Sequence, residues 1–315
     1  MSETKFISTI LIVAIVLLLV GAIIFFICFA SSGFKISAIS TVKADYKTYS
    51  ATEYIDEVVL AFDTDDIGVV FDENALFASV KYPILSNKKD EAITAVDISF
   101  DGGKLTVKEK SVRPLTFAFG TPDTKVTLTV PSSQKIALKV ITDTGDVSMS
   151  NATVSAFDFS TDTGDVKISD SSFDGIHIDG DTGDVKLLNS MVTGAVSISS
   201  STGDIEIAGL VAESVDIDGD TADVKISGSL KANRVEIELD TGDVNAKTAK
   251  IDASNIKIST DTGDVKMSLV GNVSDYKTLA ETDTGDKNIA NSVVGDRLLT
   301  LESDTGDLLI YFVAE

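Results

Sequence analysis

From about residue 141 onward, apolar and polar positions alternate in short, evenly spaced runs. Val166-Lys167-Ile168, Val185-Lys186-Leu187, Ile205-Glu206-Ile207, Val224-Lys225-Ile226 and Val265-Lys266-Met267 form one set. Phe157-Asp158-Phe159, Ile176-His177-Ile178, Val196-Ser197-Ile198, Val215-Asp216-Ile217, Val235-Glu236-Ile237 and Ile256-Lys257-Ile258 form the other. A period of two means strands with one face buried and one wet. Between the two runs the inward residues lie seven apart, as in Ile178 to Val185 or Ile258 to Val265. One turn geometry is therefore used again and again.

The turn itself is Asp-Thr-Gly-Asp or a close variant. It occurs nine times, starting at Asp143, Asp162, Asp181, Ser201, Asp220, Asp240, Asp261, Asp283 and Asp304. The steps are 19, 19, 20, 19, 20, 21, 22 and 21 residues, and Ala222 stands where the other copies have glycine. Gly145, Gly164, Gly183, Gly203, Gly242, Gly263, Gly285 and Gly306 are the expected structural turn residues, taking a backbone shape that a Cβ disfavours. The loops between units carry a third apolar residue each: Val154, Phe173, Val192, Leu210, Leu230 and Ile251. A unit of this size cannot bury its own apolar face, but stacked copies can. The fold expected is all-β, a single-stranded parallel β-helix or β-solenoid with about 20 residues per coil.

Upstream the period fades. Val58 to Ile67 keeps the seven-residue offset, from Leu60 to Ile67, and reads as a degenerate first coil. Asp97 to Val107 reads as a hairpin around Asp101-Gly102-Gly103, and Val126 to Pro131 as another strand. This region is expected to cap the N-terminal edge of the stack. The apolar run Leu308 to Val313 either completes the last coil or meets a partner.

Near the N-terminus, Ile7 to Ala30 is 24 residues without a charge. A helix of that length exceeds the roughly 30 Å hydrocarbon core, whereas a cleavable signal has a shorter apolar region. The organisation expected is a cytoplasmic tail at 1–6, a transmembrane signal-anchor at 7–30 and a stalk at 31–54. A β capping region at 55–139 and the repeat solenoid at 140–315 follow. The chain would then be a single-pass protein of the cell membrane with its C-terminal domain extracytoplasmic; a cleaved signal is the alternative. The charges flanking the apolar run lean slightly against that orientation, a bias that weakens for long translocated domains.

Composition narrows function by exclusion. A net charge of −23 repels phosphate backbones, so nucleic acid is not expected as a partner. Cys28, the single cysteine, leaves no intrachain disulfide. His177, the single histidine, points outward by strand parity.

Stacked turns bring like charges into columns, and two unit charges ~4.8 Å apart repel by about 0.9 kcal/mol even in water. Either Asp and Thr oxygens accept from N–H groups of their own turn, or Ca²⁺ neutralises the column. Asp143, Asp146, Asp162, Asp165, Asp181, Asp184, Asp240, Asp243, Asp261 and Asp264 are the metal candidates; no other cofactor is expected. A sugar hydrolase needs two carboxylates in unlike environments, and equivalent rungs supply none, so no catalytic residue is expected.

Val126-Thr127-Leu128-Thr129-Val130-Pro131 leading into Ile141-Thr142-Asp143-Thr144-Gly145-Asp146-Val147, with the Thr-Gly-Asp units that follow, resembles the bacterial "putative adhesin" family of β-strand-repeat proteins. That is a domain family of unknown function, and the resemblance covers residues 55–315. It implies a cell-envelope protein, often behind one transmembrane helix, with a single-stranded parallel β-helix and no catalytic residues. The reading is a non-enzymatic surface scaffold or binding protein for an unidentified protein or glycan ligand. The alternatives are an envelope regulatory or stress-sensing accessory acting on a membrane partner and, last, a polysaccharide-active β-helix enzyme.

Overall fold

The computed structural model describes residues 41–112 and 122–314, together with positions 20, 21, 24 and 27. The expected tail and almost all of the expected anchor lie outside the described residues. Among the described residues no helix is long and apolar enough to cross a membrane. The chain divides into two compact units. One draws on Met1–Asp45, Ile84–Ala95 and Ser111–Asp123, the other on Tyr46–Pro83, Val96–Lys110 and Thr124–Glu315.

The first unit has a small core of Val42, Leu85 and Ile93, with Ala44 packed against it. The Ile93 N–H donates to the Leu85 carbonyl at 2.7 Å, and the Leu85 N–H to Thr94 Oγ1 at 2.9 Å. Val42–Ser50, placed in the stalk by composition, is a strand. Burial of Val42 and Ala51 gives that polar segment its reason to order.

The second unit is a β-solenoid. Successive coils pair in parallel and in register: Phe157 on Ile176 on Val196 on Val215 on Val235 on Ile256 before the turn. Val166, Val185, Ile205, Val224, Val244 and Val265 form the matching column after it. The third apolar residues also stack, Val154 on Phe173 on Val192 and Leu210 on Leu230 on Ile251, and all six are buried. Each coil thus contributes three apolar contacts to one core. Phe157 and Phe159 widen it at one level, their rings parallel with centroids 6.3 Å apart.

The degenerate first coil takes its place in the stack, with Leu60 beside Val140 and Ile67 beside Val147. It is not the outermost layer, because Lys104–Ser111 pairs along Glu57–Phe62 and Lys125–Pro131 along Asp66–Asp72. Those later residues form a coil beneath the first. Ser79, Val80 and Lys81 then lie antiparallel on Thr129, Leu128 and Thr127 and close that edge. Gly102 and Gly103 adopt φ of +57° and +84°, the two-residue turn that joins a twisted hairpin.

At the other end the serial order also breaks. Asn255–Thr262 pairs with Leu298–Thr305, not with the next repeat in sequence, and Tyr276–Thr284 lies outside Arg297–Thr305. Leu308–Val313 therefore completes a coil on Val265–Val270. The coils therefore follow chain order in the middle of the stack and depart from it at both ends.

Candidate functional site

The stacked turns bring the aspartates to one edge as two rails. The opening residues Asp143, Asp162, Asp181, Asp220, Asp240, Asp261, Asp283 and Asp304 are all exposed. The closing residues form the second rail, and there the structure shows a bond that sequence spacing does not reveal. The Asp165 N–H donates to Asp146 Oδ1 at 2.8 Å, Asp184 to Asp165 at 2.8 Å and Asp204 to Asp184 at 3.0 Å. The series starts at Asp66 under Asp146 and continues through Asp223, Asp243, Asp264, Asp307 and Asp286. Carboxylates accept from the next coil, not from their own turn. Charge-assisted bonds of this kind are roughly twice as strong as neutral ones. They offset the repulsion along the rail.

The same stacking explains the glycines. The Gly164 N–H donates to the Thr182 carbonyl and the Gly183 N–H to Thr202, each at 2.9 Å. Successive turns approach so closely that a Cβ on Gly242 would sit 1.9 Å from the Ala222 oxygen, and one on Gly263 1.9 Å from the Gly242 oxygen. Close backbone approach between coils, more than the turn's own dihedrals, demands glycine here. Ala222 escapes by turning its methyl inward, where it is 3% exposed. Space for it comes from Gly219, whose own Cβ would lie 3.1 Å from the Ala222 methyl. Other coils fill that inner position with Thr161, Ser200, Thr260 or Ser303, all buried. The adjustment has a cost: among the described residues, Asp223 onto Asp204 is the one closing pair in this run without the rail bond.

Asp65 occupies the glycine position of the first coil and also turns inward, to 2% exposure. Burial holds its carboxyl above the ordinary range, a Thr124 hydrogen bond opposes that, and Asp66 and Asp63 add to it. One of its oxygens has no hydrogen-bond partner. This is a carboxyl in an environment unlike the rest, but it lies under the turn and does not meet solvent.

Beside the closing rail runs a column of Lys167, Lys186, Glu206, Lys225, Asn245 and Lys266, paired rung to rung. Lys266 meets Asp264 at 2.6 Å and Lys225 meets Glu206 at 2.9 Å. The Asp307 N–H, then Lys266, hold the Asp264 carboxyl below the usual carboxylate range. Rail and column together line a shallow groove of about 340 Å³ between Asp184 and Asn245. On the other outer face Asp158, His177, Ser197, Asp216, Glu236 and Lys257 align, and His177 is exposed. Among the described residues no three His, Cys, Asp or Glu side chains are placed to hold a metal ion.

A family model described as Toastrack DUF4097 matches residues 55–305. No curated protein sequence matches the chain. Among solved structures, it is similar to a "putative adhesin" from Bacteroides fragilis NCTC 9343, at 16% identity and a TM-score of 0.42, over 86% of this chain and 97% of that one. A second "putative adhesin", from Parabacteroides distasonis ATCC 8503, is 16% identical with a TM-score of 0.40, over 83% and 97%. A "putative lipid binding protein" from the same strain is 12% identical with a TM-score of 0.33, over 86% and 96%. At these identities none of them assigns a function.

Proposed function

The chain belongs to the Toastrack DUF4097 family, and from that premise we propose that it is a non-enzymatic, membrane-tethered scaffold of the bacterial cell surface. The observation that carries this reading is the uniformity of the outer faces. Between Asp146 and Asp264 coil after coil presents the closing rail and an outward polar column one strand spacing further on, so that face offers a ladder of similar polar sites. Such a surface suits a repetitive protein or glycan ligand bound through many weak contacts. Catalysis of sugar cleavage would need a raised carboxyl facing substrate, and Asp65, whose carboxyl burial raises, does not meet solvent.

The tether is the uncharged run from Ile7 to Ala30, with the solenoid outside the cell. Within it Val20, Gly21, Ile24 and Ile27 are helical, and the three apolar side chains are exposed. A lipid environment accommodates that arrangement.

The test uses the full-length chain expressed in a bacterial host. Protease added to intact cells should remove the solenoid while leaving a membrane-bound stub, and detergent extraction should be needed to release the uncut protein. Purified protein should bind isolated cell wall or cells saturably, with weaker binding as interior coils are deleted. Protection of the solenoid in intact cells would overturn the location. Binding to no cell, wall or glycan fraction would overturn the scaffold reading and favour an accessory acting on a neighbour within the membrane.

A further inference from the structure

The outermost strand of the solenoid, Tyr276–Thr284, pairs on one side with Arg297–Thr305. Its other side is an open edge by topology, yet the backbone groups of Thr278 and Ala280 are taken. Thr278 exchanges both backbone hydrogen bonds with Ser292, each at 2.9 Å. The Ala280 N–H donates to Asn291 Oδ1 at 2.8 Å, and the Ala280 carbonyl accepts from Lys287 Nζ at 2.6 Å. Asn288 does the same for the strand after the turn, accepting from the Ile310 N–H at 2.8 Å and donating to the Ile310 carbonyl at 2.9 Å. Two side-chain amides thus imitate a missing strand. The segment lies tightly against the edge: a Cβ on Gly295, at φ +128°, would fall 2.4 Å from the Tyr276 carbonyl carbon. Ile289 is buried and anchors it, while Val293 and Val294 are 86% and 66% exposed.

We propose that the Tyr276–Thr284 edge is a pairing surface for a second copy of this chain, and that residues 287–296 are the plug that keeps it closed. An edge with unpaired N–H and C=O groups accepts another strand, and closed two-fold contacts are the commonest outcome between copies. At the opposite end Ser79–Lys81 already pairs with Thr127–Thr129 within the chain, so the partner we assign is the same Tyr276–Thr284 edge of another copy. Antiparallel pairing centred on Ala280 sets Thr278 opposite the partner's Thr282, and Lys277 opposite the partner's Asp283. Opposite charges across strands favour that register.

The test compares full-length proteins in one detergent, so that any association through the N-terminal segment is common to all. Asn291→Ala with Ser292→Pro removes the acceptor on Ala280 and the donor on Thr278 while leaving Asn288 in place. Light scattering should show twice the wild-type mass, with the Thr278 and Ala280 amides again protected from hydrogen exchange in the doubled species. Adding Lys277→Asp should return the mass to the wild-type value. If the opened protein keeps the wild-type mass while those amides exchange freely, the pairing surface is refuted. If the amides stay protected without doubling, residues 287–296 are not the plug. Should the opened variant fail to fold, Thr278→Cys with Ser292→Cys locks the plug. The oxidised lock should not associate on mild heating where wild type does, and equal association would overturn the proposal.

Discussion

Between Asp146 and Asp264 each coil is the next piece of chain, whereas beyond Asp264 the order of the chain and the order of the stack part company. Both regions use the same turn and the same rail bond, since Asp307 donates to Asp264 and Asp286 donates to Asp307. The repeat therefore specifies how a coil binds a neighbour but not which neighbour it binds. In the C-terminal region that choice is made by residues outside the repeat. Asn272 to Asp275 form a short turn in which the Asn272 N–H donates to Asp275 Oδ2 at 2.7 Å. This lifts the chain past one layer. Tyr276, fully buried, donates to the Val270 carbonyl at 2.8 Å and accepts from Arg297 at 3.0 Å. Arg297 in turn meets Asp252 at 2.9 Å, tying the outer strands to an earlier coil.

The sharpest break of this comparison is a methyl in the middle of the stack. Gly263→Ala would drive Cβ into the Gly242 oxygen, with Thr260 already filling the space beneath, and should cost about 3 kcal/mol or more. Gly183→Ala meets the Gly164 oxygen too, but Gly180 leaves the inner position empty as Gly219 does for Ala222. Its cost should be less than half as large, and thermal melts of the two variants measure the difference. Equal losses would mean that Ala222 is tolerated for a reason other than the room beneath it.

Next in size is Arg297→Ala. Tyr276 then loses a buried charge-assisted partner, a change of roughly 2 kcal/mol. Hydrogen exchange should quicken across Tyr276–Thr284 and leave Val166–Ser169 as slow as before. Uniform quickening would show that the swapped end and the serial middle unfold as one unit.

Asp65→Asn tests the other end and should stabilise by a few degrees at neutral pH. Burial raises the Asp65 pKa, so its ionised form penalises the fold at neutral pH. As pH falls through the raised folded value the folded protein takes up the proton, and the penalty disappears by about pH 4, the ordinary carboxylate value. Wild type and variant should therefore converge in acid. Asp264 has the opposite sign: its carboxyl is held low, so its contribution is present above the ordinary value and is lost as pH falls through the lowered one.

The smallest expected effect is that of chelation. Rail carboxylates already accept N–H bonds from the next coil, and Lys186 and Lys266 lie against Asp184 and Asp264. EDTA should move the melting temperature by no more than about 2 °C. A drop of ten degrees would restore Ca²⁺ as a structural ion.

Much of this was legible in the alternation. The three apolar contacts per coil, the first coil at Leu60 and Ile67, and the outward column from Lys167 to Lys266 follow from parity and spacing alone. That is because burial selects side chains with period two and stacking repeats the selection. The rail bond was not legible, because it joins residues about 20 apart through an N–H that every residue carries. The inward turn of Asp65 and of Ala222 was hidden for a related reason: the sequence names the side chain at a turn but not the free volume beneath it.

By itself the sequence determined the solenoid, its coil length and the identity of its core, since those depend on local periodicity. Only the tertiary structure decided the order in which end coils stack and what closes their edges. Equal repeats form equal bonds with any neighbour, so the order rests on a few unrepeated contacts, Tyr276 with Arg297 and Asn288 with Ile310 among them. Their meaning exists only once distant strands are brought side by side.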